Sequence, residues 1–140
     1  MFKILFFLFS FLIVYAKSST FSVDYPGHQY LKDGKPFIIV GTPGGTTIPT
    51  SVYQTLINII DFGLSTEDAV YKPKFHHQWL PDKIFVEKNF PQQTIDSLKK
   101  MGYTIIEREA IGRTEVIKVL PDGKFEVVAD NRGNDDAEGW

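Results

Sequence analysis

The pentapeptide Gly41-Thr42-Pro43-Gly44-Gly45 follows the apolar run Phe37-Ile38-Ile39-Val40 and precedes residues at helical spacing. A strand that ends in paired glycines at a helix entrance leaves consecutive backbone N–H groups bare. Such groups bind anions, and the helix dipole adds to them. Two chemistries suit that arrangement. One is a phosphate cradle, although the lysine and the wider glycine spacing of a P-loop are missing. The other is an oxyanion hole, in which two amide donors meet a developing negative oxygen. A tight turn that needs glycine only for its backbone angles is a third reading.

Other residues invite chemistry less strongly. His76 and His77 suggest a metal or a general base, but adjacent side chains in extended chain point to different sides, so a shared ion is awkward. Asp61, Glu67 and Asp68 look like an acid set and read more simply as helix-end and surface charges. His28 reads as a solvated loop residue, and Trp79 and Trp140 as packing anchors. Cysteine is absent, which excludes disulfides and thiol nucleophiles. A net charge of -2 with no basic run gives no reason to expect nucleic acid. No metal site and no cofactor is expected.

The elements that must position the glycine turn follow from periodicity. The run 36–41 reads as a strand buried on both faces. A helix over 49–62 follows, with Pro49 in its first turn and Gly63 after its end. Ser51 and Gln54, at capping-box spacing, mark a second possible start. A helix over 65–70 carries Glu67 and Asp68 near its positive end. KFHHQWLPD fits neither period and reads as irregular. Strands are expected at 84–87, 103–107, 114–120 and 125–129, the last two joined at Pro121-Asp122-Gly123-Lys124. A third helix spans 91–101, with Ile95, Leu98 and Met101 on one face.

The first residues have the layout of a targeting segment. Lys3 supplies the positive region, Ile4 to Val14 the apolar region, and Val14-Tyr15-Ala16 a small-residue cleavage site. The apolar stretch stops short of the roughly 18 residues a spanning helix wants. Residues 1–16 are read as a secretory signal or membrane anchor, which implies a periplasmic or extracellular protein. Residues 17–30 read as an extended lead-in, broken at Pro26-Gly27, and 31–140 as one globular segment.

Three separated blocks carry a resemblance: GTPGGTTIPTSVYQTLINIIDFGLSTEDAV, KPKFHHQWLPDKIFVEK and the closing AD-x-R…GW. In that order they resemble the C-terminal part of the small subunit of gamma-glutamyltransferase (glutathione hydrolase), an N-terminal nucleophile hydrolase. The resemblance implies an α/β fold, the C-terminal portion of a four-layer αββα sandwich with largely antiparallel sheet. It implies that the Gly44 and Gly45 amides bind substrate and stabilise the oxyanion during attack on a gamma-glutamyl amide. It also implies packing and hydrogen-bonding roles for the His-His-Gln-Trp stretch, and that Asp130 and Arg132 hold the C-terminal tail.

The family nucleophile opens a Thr-Thr-His-Tyr-Ser type motif upstream of the glycine turn, and this sequence has no such motif. Thr46 and Thr47 follow the glycines and do not replace it, since this class needs an adjacent amine as base. Ser18-Ser19 lie too far from Asp33-Gly34 to stand for the family's substrate-binding serines. The expectation is a truncated segment, inactive alone, whose sheet or helix face is left open for a large-subunit-like or self partner. A non-catalytic exported binding module is the rival reading.

Overall fold

The computed structural model describes residues 20–24 and 29–138. The targeting segment 1–16, the Pro26-Gly27 breaker, His28 and Trp140 lie outside the described residues. Eight strands, three α-helices and a 3-10 turn form two sheets with helices against them.

The larger sheet has the order β1 (Phe21–Asp24), β2 (Gln29–Lys32), β3 (Lys35–Gly41), β7 (Glu115–Val119), β8 (Phe125–Val128). Every neighbouring pair in it is antiparallel. Part of the expected lead-in is therefore sheet. The cause is Asp33-Gly34: both have positive φ, 51° and 75°, and they join β2 to β3 as a two-residue hairpin turn. The β7–β8 hairpin closes where expected, with Leu120 N donating to Lys124 O at 2.8 Å.

Burial along β3 corrects one expectation. Ile38 is fully buried and Val40 joins the same core, but Ile39 between them is 42% exposed. Ile39 pairs with Ile117, and Ile117 with Val127, so three apolar side chains line one face across three strands. All three stay exposed. The opposite face carries Ile38, Val40, Val116 and Val128 and packs on α1 (Ile48–Ile60) and α2 (Thr66–Tyr71). Leu56 and Ile59 of α1 and Ala69 and Val70 of α2 complete that core. Each large aliphatic side chain buried there contributes about 1.5–3 kcal/mol.

Helix α1 begins at Ile48, directly out of the 3-10 turn Gly45–Thr47, with Pro49 in its first turn. Ser51 and Gln54 do not form a capping box; they lie inside the helix, where Ser51 Oγ donates to Ile111 O and Gln54 Nε2 to Phe75 O. Gly63, at φ 65°, turns the chain back after α1. Ser65 caps α2 by accepting from Asp68 N at 3.0 Å, a contact of about 1 kcal/mol.

The smaller sheet has the order β4 (Phe75–His76), β5 (Ile84–Glu87), β6 (Ile105–Arg108). β4 and β5 are antiparallel, but β5 and β6 run parallel, against the antiparallel expectation. The reason is the crossover: α3 (Gln92–Lys100) carries the chain back so that β6 starts at the same end as β5. On α3, Ile95 and Leu98 are half-buried and Met101 is exposed. Ile84, Val86 and Ile111 are the buried aliphatics of this side.

Candidate functional site

Strand β3 delivers the chain to the glycine turn. Gly44 has φ 136° and ψ 9°, and Gly45 has φ 59°. A ψ near zero nearly eclipses the nitrogen of Gly44 with that of Gly45, so both N–H groups lie on one side of the turn. Both residues are exposed, and among the described residues neither N–H donates a hydrogen bond. Free, adjacent donors at a helix entrance are what an anionic atom needs.

The carbonyl of Gly44, by contrast, is held tightly. Thr47 donates to it twice, from its backbone N at 3.2 Å and from Oγ1 at 3.0 Å. In a trans peptide the N–H points opposite to the C=O. Thr47 therefore aims the Gly45 N–H by anchoring the other end of the same peptide group. Thr47 is 4% exposed and Thr46 is exposed.

A second wall comes from residues 110–114. Gly112, at φ 75°, approaches so closely that a Cβ there would stand 2.8 Å from Ser51 Cβ and from Thr42 Oγ1. Ser51 Oγ donates to Ile111 O at 3.0 Å, and Arg113 N donates to Thr42 Oγ1 at 2.6 Å. These contacts lock the loop to both sides of the glycine turn.

Behind the loop lies a buried charge cluster. Glu87 Oε1 accepts from Ile111 N at 2.6 Å and from Arg132 Nε at 2.7 Å; its Oε2 accepts from Lys74 N at 2.8 Å. Asp130 is fully buried and accepts from Thr114 N at 2.7 Å and from Arg132 Nη1 at 2.9 Å. Arg132 also donates to the carbonyls of Val70 and Lys72, satisfying the C-terminal end of α2. Burial works against the Arg132 charge, but the bonds and charges of Glu87 and Asp130 outweigh it and raise its pKa. Lys74 is 2% exposed and bonded to Val70 O at 2.6 Å. Burial, and then the charge of Arg132, lower its ammonium to about 8. The pair expected to hold the tail thus also holds α2 and the 110–114 loop.

His76 is 3% exposed, stacked on Phe85, and bonded through Nδ1 to Thr50 Oγ1 at 2.9 Å and through Nε2 to Gln78 Oε1 at 3.0 Å. His77 is separate, with Nε2 at 3.4 Å from the exposed Asp82. Asp61 follows α1, and Glu67 and Asp68 lie exposed in the first turn of α2, apart from the glycine turn in the chain's architecture. Trp79 corrects an expectation: it is 77% exposed, at φ 71°, and packs no core. Among the described residues no three His, Cys, Asp or Glu side chains gather as a metal-binding group.

Thr42, Thr50, Glu87 and Gly112 shape the site without having stood out in the sequence, and Thr47 and Ser51 serve it in roles other than those weighed for them there. The threonine spacing at 47 and 50 is compatible with helix-entry bonding. The contacts of Glu87 and Gly112 join segments far apart in the chain, and no local pattern announces them.

Comparison with known proteins agrees with this architecture. The glutathione hydrolase proenzyme of Escherichia coli (strain K12) is 44% identical over 106 residues, covering 76% of this chain and 18% of that protein. That of Pseudomonas aeruginosa is 43% identical over 106 residues, covering 73% and 19%. The chain thus spans under a fifth of the length of these curated relatives. Among solved structures, the gamma-glutamyltranspeptidase of Pseudomonas nitroreducens complexed with L-DON superimposes with a TM-score of 0.73 at 33% identity, covering 88% of this chain and 62% of that one. The family described as Gamma-glutamyltranspeptidase matches residues 17–140. With the N-terminal nucleophile hydrolase fold in place around the glycine turn, the chain belongs to the gamma-glutamyltranspeptidase family.

Proposed function

We propose that this chain carries the oxyanion-stabilising part of a gamma-glutamyl amide hydrolase or transferase and is inactive by itself. The observation that carries this reading is the pair of exposed, acceptor-free N–H groups of Gly44 and Gly45 at the entrance of α1. In the reaction, a threonine hydroxyl attacks the gamma-glutamyl carbonyl and its proton passes to a neighbouring amine. The carbonyl oxygen becomes negative as the tetrahedral intermediate forms, and the two amides donate to it. The intermediate expels the amine, leaving an acyl-enzyme that water or an acceptor amine resolves. Donors fixed beforehand need no reorganisation as that charge appears, and losing one costs about 100- to 1000-fold in turnover.

The threonine comes from a second chain or segment. The open row Ile39, Ile117 and Val127 supports such a partner, because a contiguous exposed apolar face on a sheet is the kind of surface that protein partners cover. The composition of residues 1–16 supports export, with membrane anchoring as the alternative fate of that segment.

The test is release of nitroaniline from a gamma-glutamyl anilide. The purified chain alone is expected to release none. A Thr-led chain of the same family, mixed with it, is expected to restore release, and Gly44→Ala and Gly45→Ala each to lower it again, the second having open space for its methyl group. Release by this chain alone, sensitive to Gly44→Ala, would overturn the claim of inactivity. Restored release that is indifferent to both glycines would remove the oxyanion role.

A further inference from the structure

A line of hydrogen bonds runs from the smaller sheet to the glycine turn. Gln78 Nε2 donates to Leu80 O at 2.9 Å, which leaves Gln78 Oε1 facing His76 Nε2 at 3.0 Å. An amide oxygen only accepts, so Nε2 of His76 carries a proton. On the other side of the ring, Nδ1 meets Thr50 Oγ1 at 2.9 Å, and Thr50 Oγ1 lies 3.0 Å from Thr47 O. Thr47 in turn grips Gly44 O through both its N and its Oγ1. That carbonyl belongs to the peptide group whose N–H is that of Gly45.

We propose that His76 is a positioning residue for the glycine turn, acting through Thr50 and Thr47 to set the direction of the Gly45 N–H. The value of that direction to catalysis rests on the oxyanion reading above; the geometric coupling does not. Three features support the coupling. His76 is held on both ring nitrogens and stacked on Phe85, so its ring has no freedom to drift. It enters from β4, whose position against α1 is fixed by Gln54: Nε2 donates to Phe75 O at 2.7 Å and Oε1 accepts from Phe75 N at 3.0 Å. The Thr50 hydroxyl has a single proton to share between Thr47 O and the imidazole, so the ring decides how firmly the first turn of α1 is tied. The oxyanion amides would thereby gain a rigid support that their own exposed loop lacks.

The test uses the full chain labelled with nitrogen-15 and carbon-13. His76→Phe, which keeps the stacked ring and removes both bonds, is expected to move the Gly45 amide and Gly44 carbonyl resonances. It is also expected to slow exchange of the Thr47 N–H, because the Thr50 proton then goes wholly to Thr47 O and ties the turn more firmly. Thr50→Val, which removes the bond to Thr47 O, is expected to move the same resonances and to speed that exchange about fivefold, the effect of losing one hydrogen bond's net stabilisation. Thr50→Ser is expected to restore the wild-type spectrum, a rescue that general packing would not produce. If His76→Phe fails to fold, the two Thr50 variants decide alone. Unchanged Gly45 and Gly44 resonances in folded His76→Phe or Thr50→Val would overturn the proposal. These readouts need no turnover, so they fail or succeed independently of the oxyanion reading. In the complemented enzyme, His76→Phe is expected to lower kcat while leaving KM close to wild type.

Discussion

Ser51 Oγ, on the first turns of α1, donates to the carbonyl of Ile111 at 3.0 Å and binds a loop sixty residues away to the wall of the glycine turn. The close approach this creates leaves no room beside Gly112, whose added Cβ would stand 2.8 Å from Ser51 Cβ. Gly112→Ala is therefore expected to destabilise the chain by roughly 1–3 kcal/mol, the range for overpacking, on top of its positive φ of 75°. Urea unfolding of the two proteins measures the difference. A loss under half a kcal/mol would mean that the loop moves aside.

Gly44 and Gly45 are expected to respond differently to alanine. Gly45, at φ 59°, has open space where a Cβ would stand, so Gly45→Ala costs about 1–2 kcal/mol of left-handed strain. At Gly44 a Cβ would collide with Thr47 Oγ1, the group that holds the Gly44 carbonyl, and φ is 136°. Gly44→Ala is the more damaging change. Equal unfolding midpoints for the two variants would contradict this ordering.

Arg132 and Glu87 form a two-armed pair, with Nε to Oε1 and Nη2 to Oε2 both at 2.7 Å. Removing the guanidinium leaves Glu87 and Asp130 buried without their countercharge. Arg132→Met is expected to cost about 3–5 kcal/mol, as for other broken buried pairs. Arg132→Lys is expected to restore little, because an ammonium cannot fill both arms and the α2 carbonyls together. Chemical denaturation of both variants checks the order.

Lys74 ties stability to alkaline pH. Its folded-state pKa, about 8, lies below the ordinary 10.5, so the unfolded chain binds more protons between these values. Stability is therefore penalised by this residue below about pH 8, and the penalty is relieved as pH rises toward 10.5. The full swing is roughly 3 kcal/mol at most. Lys74→Met is expected to flatten that part of the stability profile. A parallel profile for wild type and variant would show that Lys74 titrates normally.

The exposed row Ile39, Ile117 and Val127 predicts self-association of the isolated chain. Ile117→Lys, in the middle strand of the row, is expected to lower the apparent mass in sedimentation while leaving the unfolding midpoint nearly unchanged. A wild-type chain that sediments as a monomer at high concentration would show that the face tolerates water.

Much of this architecture was legible in the sequence because its determinants are local. The β-branched run at 37–40, Pro49, the Ser65 cap and the Pro121-Asp122-Gly123-Lys124 turn each act within a few residues, and their elements form within a residue or two of expectation. Asp33-Gly34 shows the limit of that legibility. Its turn chemistry was plain, but β1 and β2 were read as lead-in because their short polar-aromatic runs lack a clear period.

What the sequence determined alone was the glycine pair at a strand-to-helix passage and the family it resembles, since residue type and order suffice for both. The tertiary structure alone decided which face of β3 is open, that β6 returns parallel to β5, and which groups hold the glycine turn. Those outcomes depend on contacts between distant segments: Ser51 with Ile111, Glu87 with Arg132, and Thr50 with His76. The energy of such contacts exists only once packing brings the segments together, so no stretch of neighbouring residues encodes it.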